Sequence, residues 1–162
     1  NPEVLRYAGW WGNDPSTRFK MEKGFMPVKG ADGWQLSNAP VFSMAVYKKS
    51  LDIFMAAGME NLVSKSKILT NYLEYVISTV AREMGASFEI ITPSDPSERG
   101  CQLSVLTHDT GVELFEKLTE QGVVADWREP NVIRMAPVPL YNSFNDIFKF
   151  GLVLKDALPF TK

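Results

Sequence analysis

Arg134 lies in VIRMAPVP, an apolar stretch that runs into a proline-rich turn, where a guanidinium must either pair with an anion or reach solvent at a strand end. Either it pairs with a nearby acid, Asp126 or Glu129, or it reaches the end of a strand and grips a carboxylate by two parallel N–H donors. The residues alone leave both open. Near the other end of the chain, GWWGN sets Trp10 and Trp11 between Gly9 and Gly12. An indole brings a large apolar area and one N–H that wants an acceptor, so a tryptophan pair at a loop aims a donor at something polar. Ser37 and Asn38, in the turn-rich LSNAP, add a hydroxyl and an amide.

A self-contained catalytic set is missing. The single histidine, His108, stands beside Asp109 at the end of a strand and reads as a locally bonded residue. There is no GxSxG elbow, no phosphate-binding glycine loop ending in Gly-Lys, no HExxH and no paired Cys/His spacing. A triad hydrolase, a nucleotide hydrolase and a zinc enzyme each lack their parts, and no metal is expected. The lone Cys101 cannot form an internal disulfide, which fits a reducing cytoplasm, and its apolar neighbours make it a core residue.

With 162 residues, 45% of them hydrophobic and 12% aromatic, the chain can bury one sizeable core. Its net charge is −2 with both signs interspersed, so no basic footprint for nucleic acid or for an anionic membrane surface is present. No apolar run approaches a membrane span, and no basic start leads into a signal core.

These side chains need elements to position them. Residues 1–42 show little periodicity and are punctuated by Gly and Pro (GWWGN, GFMP, KGADG, LSNAP), so they read as loop. From Phe42 the spacing of Val46, Ile53, Phe54 and Ala57 predicts a helix over 42–58, broken at Gly58 or Asn61. Leu62, Leu69, Leu73, Val76, Ile77, Val80 and Met84 mark a longer helix that ends at Gly85. Two strands follow, at 88–92 and 101–107, joined by PSDPSERG. A short helix through Val112, Leu114, Phe115 and Leu118 closes at Gly122. VVADWRE and NVIRMAP make two more strands across a turn at Pro130-Asn131, and Asn142 or Ser143 caps a final helix to 158. Tyr72, Tyr75, Phe144 and Phe148 fall at helical spacing and are expected in the core or in packing between helices. The order predicts an α+β domain whose small, mostly antiparallel sheet is covered by helices.

The motifs GWWGN, STRF, GADGWQLSN, LTNYLEY, IITPSDPSERGCQLS and GVVADWREPNVIRMAPVPLYNSF, strung in this order over nearly the whole chain, resemble the C-terminal part of the kynureninase family. The resemblance implies the pyridoxal-phosphate enzymes of the aspartate-aminotransferase-like fold (fold type I), with residues 43–162 as the small C-terminal α+β domain and residues 1–42 as active-site loops from the edge of the cofactor domain. The activity implied is hydrolysis of L-kynurenine, or its 3-hydroxy form, to anthranilate or 3-hydroxyanthranilate and L-alanine, in tryptophan catabolism and NAD biosynthesis.

By position, Trp10 and Asn38 resemble residues that reach the phosphate of pyridoxal 5'-phosphate, Ser37 would line the substrate pocket, and Arg134 resembles the arginine that holds the substrate α-carboxylate. The family's Schiff-base lysine lies upstream of GWWG and no lysine here stands in that setting, so the chain is expected to be a fragment without catalytic residues of its own. Its implied partners are a large cofactor domain, a second subunit in a homodimer and a small-molecule substrate. Asn13 stands where the family pattern has histidine. A related pyridoxal-phosphate enzyme with another amino-acid substrate, and a stand-alone α+β module, stay as alternatives.

Overall fold

A computed structural model describes residues 4–158. It divides into two compact units, one up to Ile53 and one from Phe54 onward.

The first unit has one short 3-10 helix, Ala31–Trp34, and an isolated antiparallel bridge between Asn13 and Pro27. Its order comes from backbone hydrogen bonds between loop segments. Trp10 N–H donates to Leu36 O at 3.1 Å, Gly12 N–H to Gln35 O at 2.8 Å and Val28 N–H to Gly12 O at 2.9 Å. The approach is so close that a Cβ on Gly9 would stand 2.3 Å from Leu36 Cα, and one on Gly12 would stand 2.8 Å from Gly33 O. Glycine is required at both places because backbone occupies the space a side chain would need.

Helix α1, Val41–Ala57, follows the expected periodicity but buries none of its residues. Val46 and Ile53 of its apolar stripe are exposed, against the expectation of a core-facing helix. Gly58, at φ 80°, ends it, and α2 runs over Met59–Met84 to Gly85 in the left-handed conformation, φ 72°.

In the second unit β1 (Phe88–Ile90), β2 (Leu103–Thr107), β3 (Asp126–Arg128) and β4 (Val132–Met135) form one antiparallel sheet in the order β1-β2-β4-β3. Helix α3 (Val112–Glu120) precedes β3, and α4 (Phe144–Ala157) is the last element among the described residues. Burial alternates along β2 and β4. Leu103, Val105, Ile133 and Met135 point into a core with Leu69, Leu73 and Ile77 of α2, Leu114 and Leu118 of α3 and Ile147 and Leu154 of α4. Because successive strand residues point to opposite faces, Ser104, Leu106, Val132 and Arg134 lie on the face turned away from that core.

Ser143, not Asn142, caps α4. Asp146 N–H donates to Ser143 Oγ while Ser143 N–H donates to the Asp146 carboxylate at 2.7 Å, a reciprocal box. Asn142 instead accepts the Val138 N–H at 2.8 Å and shapes the turn before the helix. Of the four aromatics expected in the core or in helix packing, Tyr75, at 63%, Phe144 and Phe148 are exposed, though Phe144 of α4 meets Tyr72 of α2 at 6.2 Å between ring centroids. Tyr72 alone packs against the core. Cys101 is half-buried in the bend before β2, outside the core, because the strand begins two residues later than the apolar pattern suggested.

Candidate functional site

The β3–β4 hairpin places Arg134. Its register sets Asp126 opposite Arg134, Trp127 opposite Ile133 and Arg128 opposite Val132. Directly opposed residues bring their Cβ atoms within about 5 Å, so the acid and the guanidinium meet without reaching. Arg134 Nε–H donates to Asp126 Oδ2 at 2.8 Å, and Arg134 Nη2–H donates to the same oxygen. Arg128 Nη2 stands 3.1 Å from it. Asp126 therefore faces two arginines, and the Arg134 hydrogen bond, with the charges of both guanidiniums, holds its carboxyl below the ordinary aspartate value against the opposing effect of desolvation. Glu129, the other acid considered for Arg134, sits in the turn and accepts the Trp127 indole N–H at 2.9 Å.

Asn131 ties this hairpin to β2. Its amide donates to Thr107 O at 2.9 Å, and Thr107 N–H donates to Asn131 O at 2.9 Å. The Arg134 side chain keeps 31% of its surface exposed, and among the described residues its remaining N–H groups meet no acceptor. A planar fork held by one edge, with its end open on a sheet face, is the arrangement that grips a carboxylate bidentately.

In the first unit the tryptophans take different partners. Trp11 Nε1–H donates to Asn38 Oδ1, and the Arg18 guanidinium stacks 4.5 Å from its ring centroid. Arg18 Nη2 also donates to the carbonyls of Trp11 and Asn13, both at 3.1 Å. Trp10, 58% exposed, meets Phe19 edge to face at 5.5 Å between centroids. Among the described residues its indole N–H has no acceptor. Trp10, Asn13 and Arg18 line a cleft of about 300 Å³. The Asn13 carboxamide is committed to the loop, accepting Met26 N–H at 2.9 Å. Asp14, below its ordinary value because Ser16 donates to it by hydroxyl and by backbone, turns the chain between GWWGN and STRF. Ser37 is exposed beside Asn38.

Trp10, Ser37 and Asn38 thus belong to the first unit and Arg134 to the second. His108 stands 3.3 Å from Glu89, with both side chains exposed, and joins neither group. No cluster of three or more His, Cys, Asp or Glu able to hold a metal occurs among the described residues. No described helix is long and apolar enough to cross a membrane.

Two arrangements escaped the sequence reading. One is the second pairing of Asp126, to Arg128, which stands two residues along the same strand and so returns to the same face. The other is Arg99, whose side chain is only 2% exposed and donates to Glu74 Oε2 at 2.6 Å, Asn71 Oδ1 at 2.7 Å and Pro93 O at 3.0 Å. It clamps the 92–101 loop onto α2, and nothing in a Pro/Ser-rich loop announces a buried cation.

Residues 62–154 match the family model described as "Kynureninase C-terminal domain". Among curated proteins, the chain is 51% identical over 158 residues to a kynureninase of Flavobacterium johnsoniae, covering 98% of this chain and 37% of that protein. It is 52% identical over 153 residues to one of Flavobacterium psychrophilum, covering 94% and 36%. With one of Koribacter versatilis it shares 46% identity over 148 residues, covering 91% and 34%. The chain therefore spans little more than a third of the length of these relatives. Among solved structures, a NifS-like protein superposes with a TM-score of 0.60 at 16% identity, over 83% of this chain and 39% of that one. At that identity the likeness concerns the fold alone, an α+β arrangement of the aminotransferase-like kind.

Proposed function

Because this chain belongs to the kynureninase C-terminal domain family, we propose that it is the C-terminal part of a pyridoxal-phosphate hydrolase that cleaves L-kynurenine, or 3-hydroxykynurenine, to the anthranilate and L-alanine. The observation that carries this reading is the identity of about half of all residues with curated kynureninases, sustained over 98% of the chain in one case. In this reading residues 1–42 serve as active-site loops and residues 43–162 as the small domain. A large domain outside this chain brings the cofactor lysine.

The residues present suit the cofactor. A phosphate only accepts hydrogen bonds at its anionic oxygens, and the first unit offers donors. The Trp10 indole N–H meets no acceptor among the described residues, and the Asn38 oxygen is taken by Trp11, which leaves its NH₂ to donate. Trp10 and Asn38 would hold the phosphate, either in the same subunit or across a homodimer interface.

Pyridoxal phosphate, when bound, supplies electron withdrawal at the amino acid's Cα, the chemistry that lets the Cβ–Cγ bond break after water adds to the γ-carbonyl. This chain's part is binding and orientation. Arg134 grips the α-carboxylate through its end-on N–H pair and fixes the angle of the substrate backbone, while Ser37 lines the pocket. A misplacement of about 1 Å would cost on the order of 100-fold in rate.

The test is production of the whole protein and assay with kynurenine, 3-hydroxykynurenine and a panel of other amino acids. Release of anthranilate together with alanine is expected. Turnover of another amino acid with no cleavage of either kynurenine would overturn the reading.

A further inference from the structure

We propose that Asp126 is a positioning residue for the substrate carboxylate: it locks the Arg134 guanidinium by its Nε/Nη2 edge, so that the opposite, end-on edge is presented to the substrate in one orientation. This rests on the reading of Arg134 as the carboxylate-binding residue and deepens it.

An arginine carries five N–H donors in one plane, and rotation about its last bonds sweeps that plane through many directions. Bidentate recognition requires that the plane be chosen before the ligand arrives, since ordering it on binding costs affinity. Asp126 makes that choice. Both Nε–H and Nη2–H of Arg134 converge on the single oxygen Asp126 Oδ2, which fixes the plane from the side. The pair Nη1 and Nη2 at the tip still offers one N–H each in parallel.

The hairpin register makes this hold rigid. Asp126 and Arg134 are directly opposed on neighbouring strands, and Asn131 bonds the hairpin to β2 by two 2.9 Å contacts. A carboxylate beside an anion-binding arginine would ordinarily repel the ligand. Here Arg128 Nη2, 3.1 Å from the same Oδ2, brings a second positive charge. The three groups sum to +1, so the substrate anion meets a net cation whose geometry Asp126 sets and whose charge Arg128 preserves. Asp126 need not touch the substrate.

The experiment is a double-mutant cycle on the whole, cofactor-loaded protein, with Asp126→Ala, Arg134→Ala and the double variant, reading kcat and KM for kynurenine and the melting temperature of each. Asp126→Leu, of similar shape but with no acceptor, stands in if the alanine variant does not fold. In the native background, Asp126→Ala is expected to lower kcat/KM about tenfold, mainly through KM. In the Arg134→Ala background the same substitution is expected to change it less than about twofold, because a residue that acts through another has nothing left to orient. Melting temperatures report the pair's own contribution to the fold, which is small for a partly exposed ion pair, so the shift caused by Asp126→Ala should differ only slightly between the two backgrounds.

The outcomes separate the two claims. Near-normal kcat/KM in Arg134→Ala defeats the carboxylate role of Arg134 itself. A large effect of Arg134→Ala with a wild-type Asp126→Ala leaves that role standing and defeats the positioning role. Fully additive losses also defeat it, since Asp126 would then act by a separate route.

Discussion

Gly151 of α4 lies against Val76 of α2 so closely that a Cβ on the glycine would stand 2.7 Å from Val76 Cγ1. That missing side chain sets how near the two helices approach, and α2 with α4 encloses the core that backs the sheet. Gly151→Ala gains roughly 1 kcal/mol of helix propensity but overpacks a contact worth about 1–3 kcal/mol in strain. A net loss of about 1 kcal/mol is expected by denaturant melting, and Val76→Ala in the same chain should recover it. Additive losses in the double variant would show that the contact is not where the strain resides.

Ser143→Ala removes half of the box that begins α4. Loss of a serine cap costs about 0.5–2 kcal/mol, so the chain should melt a few degrees lower. Ser143→Asp, which keeps an acceptor at the cap but sets it against Asp146, should fall between the two. An unchanged melting temperature in Ser143→Ala would mean that Asp146 alone orders the helix start.

Gly9→Ala tests the first unit by itself. The added methyl would collide with the backbone of Leu36 and Gln35 rather than with a movable side chain, so the hydrogen bond from Trp10 N–H to Leu36 O must break. Amide exchange at Trp10 and Gly12 is expected to quicken while the Leu73 and Ile77 amides of α2 keep their protection. Slow exchange at Trp10 in the variant would contradict the packing described here.

Acid should weaken the second unit in a defined window. Glu83, Asp95, Asp126 and Asp146 all lie below their ordinary values, chiefly through hydrogen bonds donated by Lys155, the Ser97 backbone, Arg134 and the Ser143 backbone in turn. Each folded-state value is depressed, so the unfolded chain binds more protons in acid. The stabilisation is complete above the unfolded carboxylate values of about 4 and is lost as pH falls through the folded ones. The melting temperature should be flat from about pH 6 to 8 and fall steadily below about pH 4.5. Asp126→Asn should make the acid limb shallower. A chain that melts higher at pH 3 than at pH 7 would refute the assignment.

Arg134→Lys in the whole enzyme keeps the charge and loses the planar fork. Loss of a charged hydrogen bond of roughly 1.5–3 kcal/mol should lower kcat/KM by one to two orders of magnitude. The pair with Asp126 is partly exposed, and such pairs contribute about 0–1 kcal/mol, so the melting temperature should shift little. A destabilised variant with normal turnover would reassign Arg134 to fold maintenance.

Helices, strands and family were legible in the residues because they rest on local facts. Leu62 to Met84 repeat at helical spacing and Gly85 closes them, and NVIRMAP alternates as a strand must. GWWGN, ERGCQLS and REPNVIRMAPVPLYNSF carry the family by their order. Tertiary structure decided what these pieces meet. Arg134 takes Asp126 and not Glu129 because the register pairs residues equidistant from Pro130 and leaves Glu129 in the turn. Trp11, not Trp10, takes Asn38 because two segments 27 residues apart are held together by backbone bonds that no local pattern encodes. Tyr75, Phe144 and Phe148 have the spacing of core residues yet are exposed, since periodicity tells which side of a helix is apolar and only packing tells whether that side is covered.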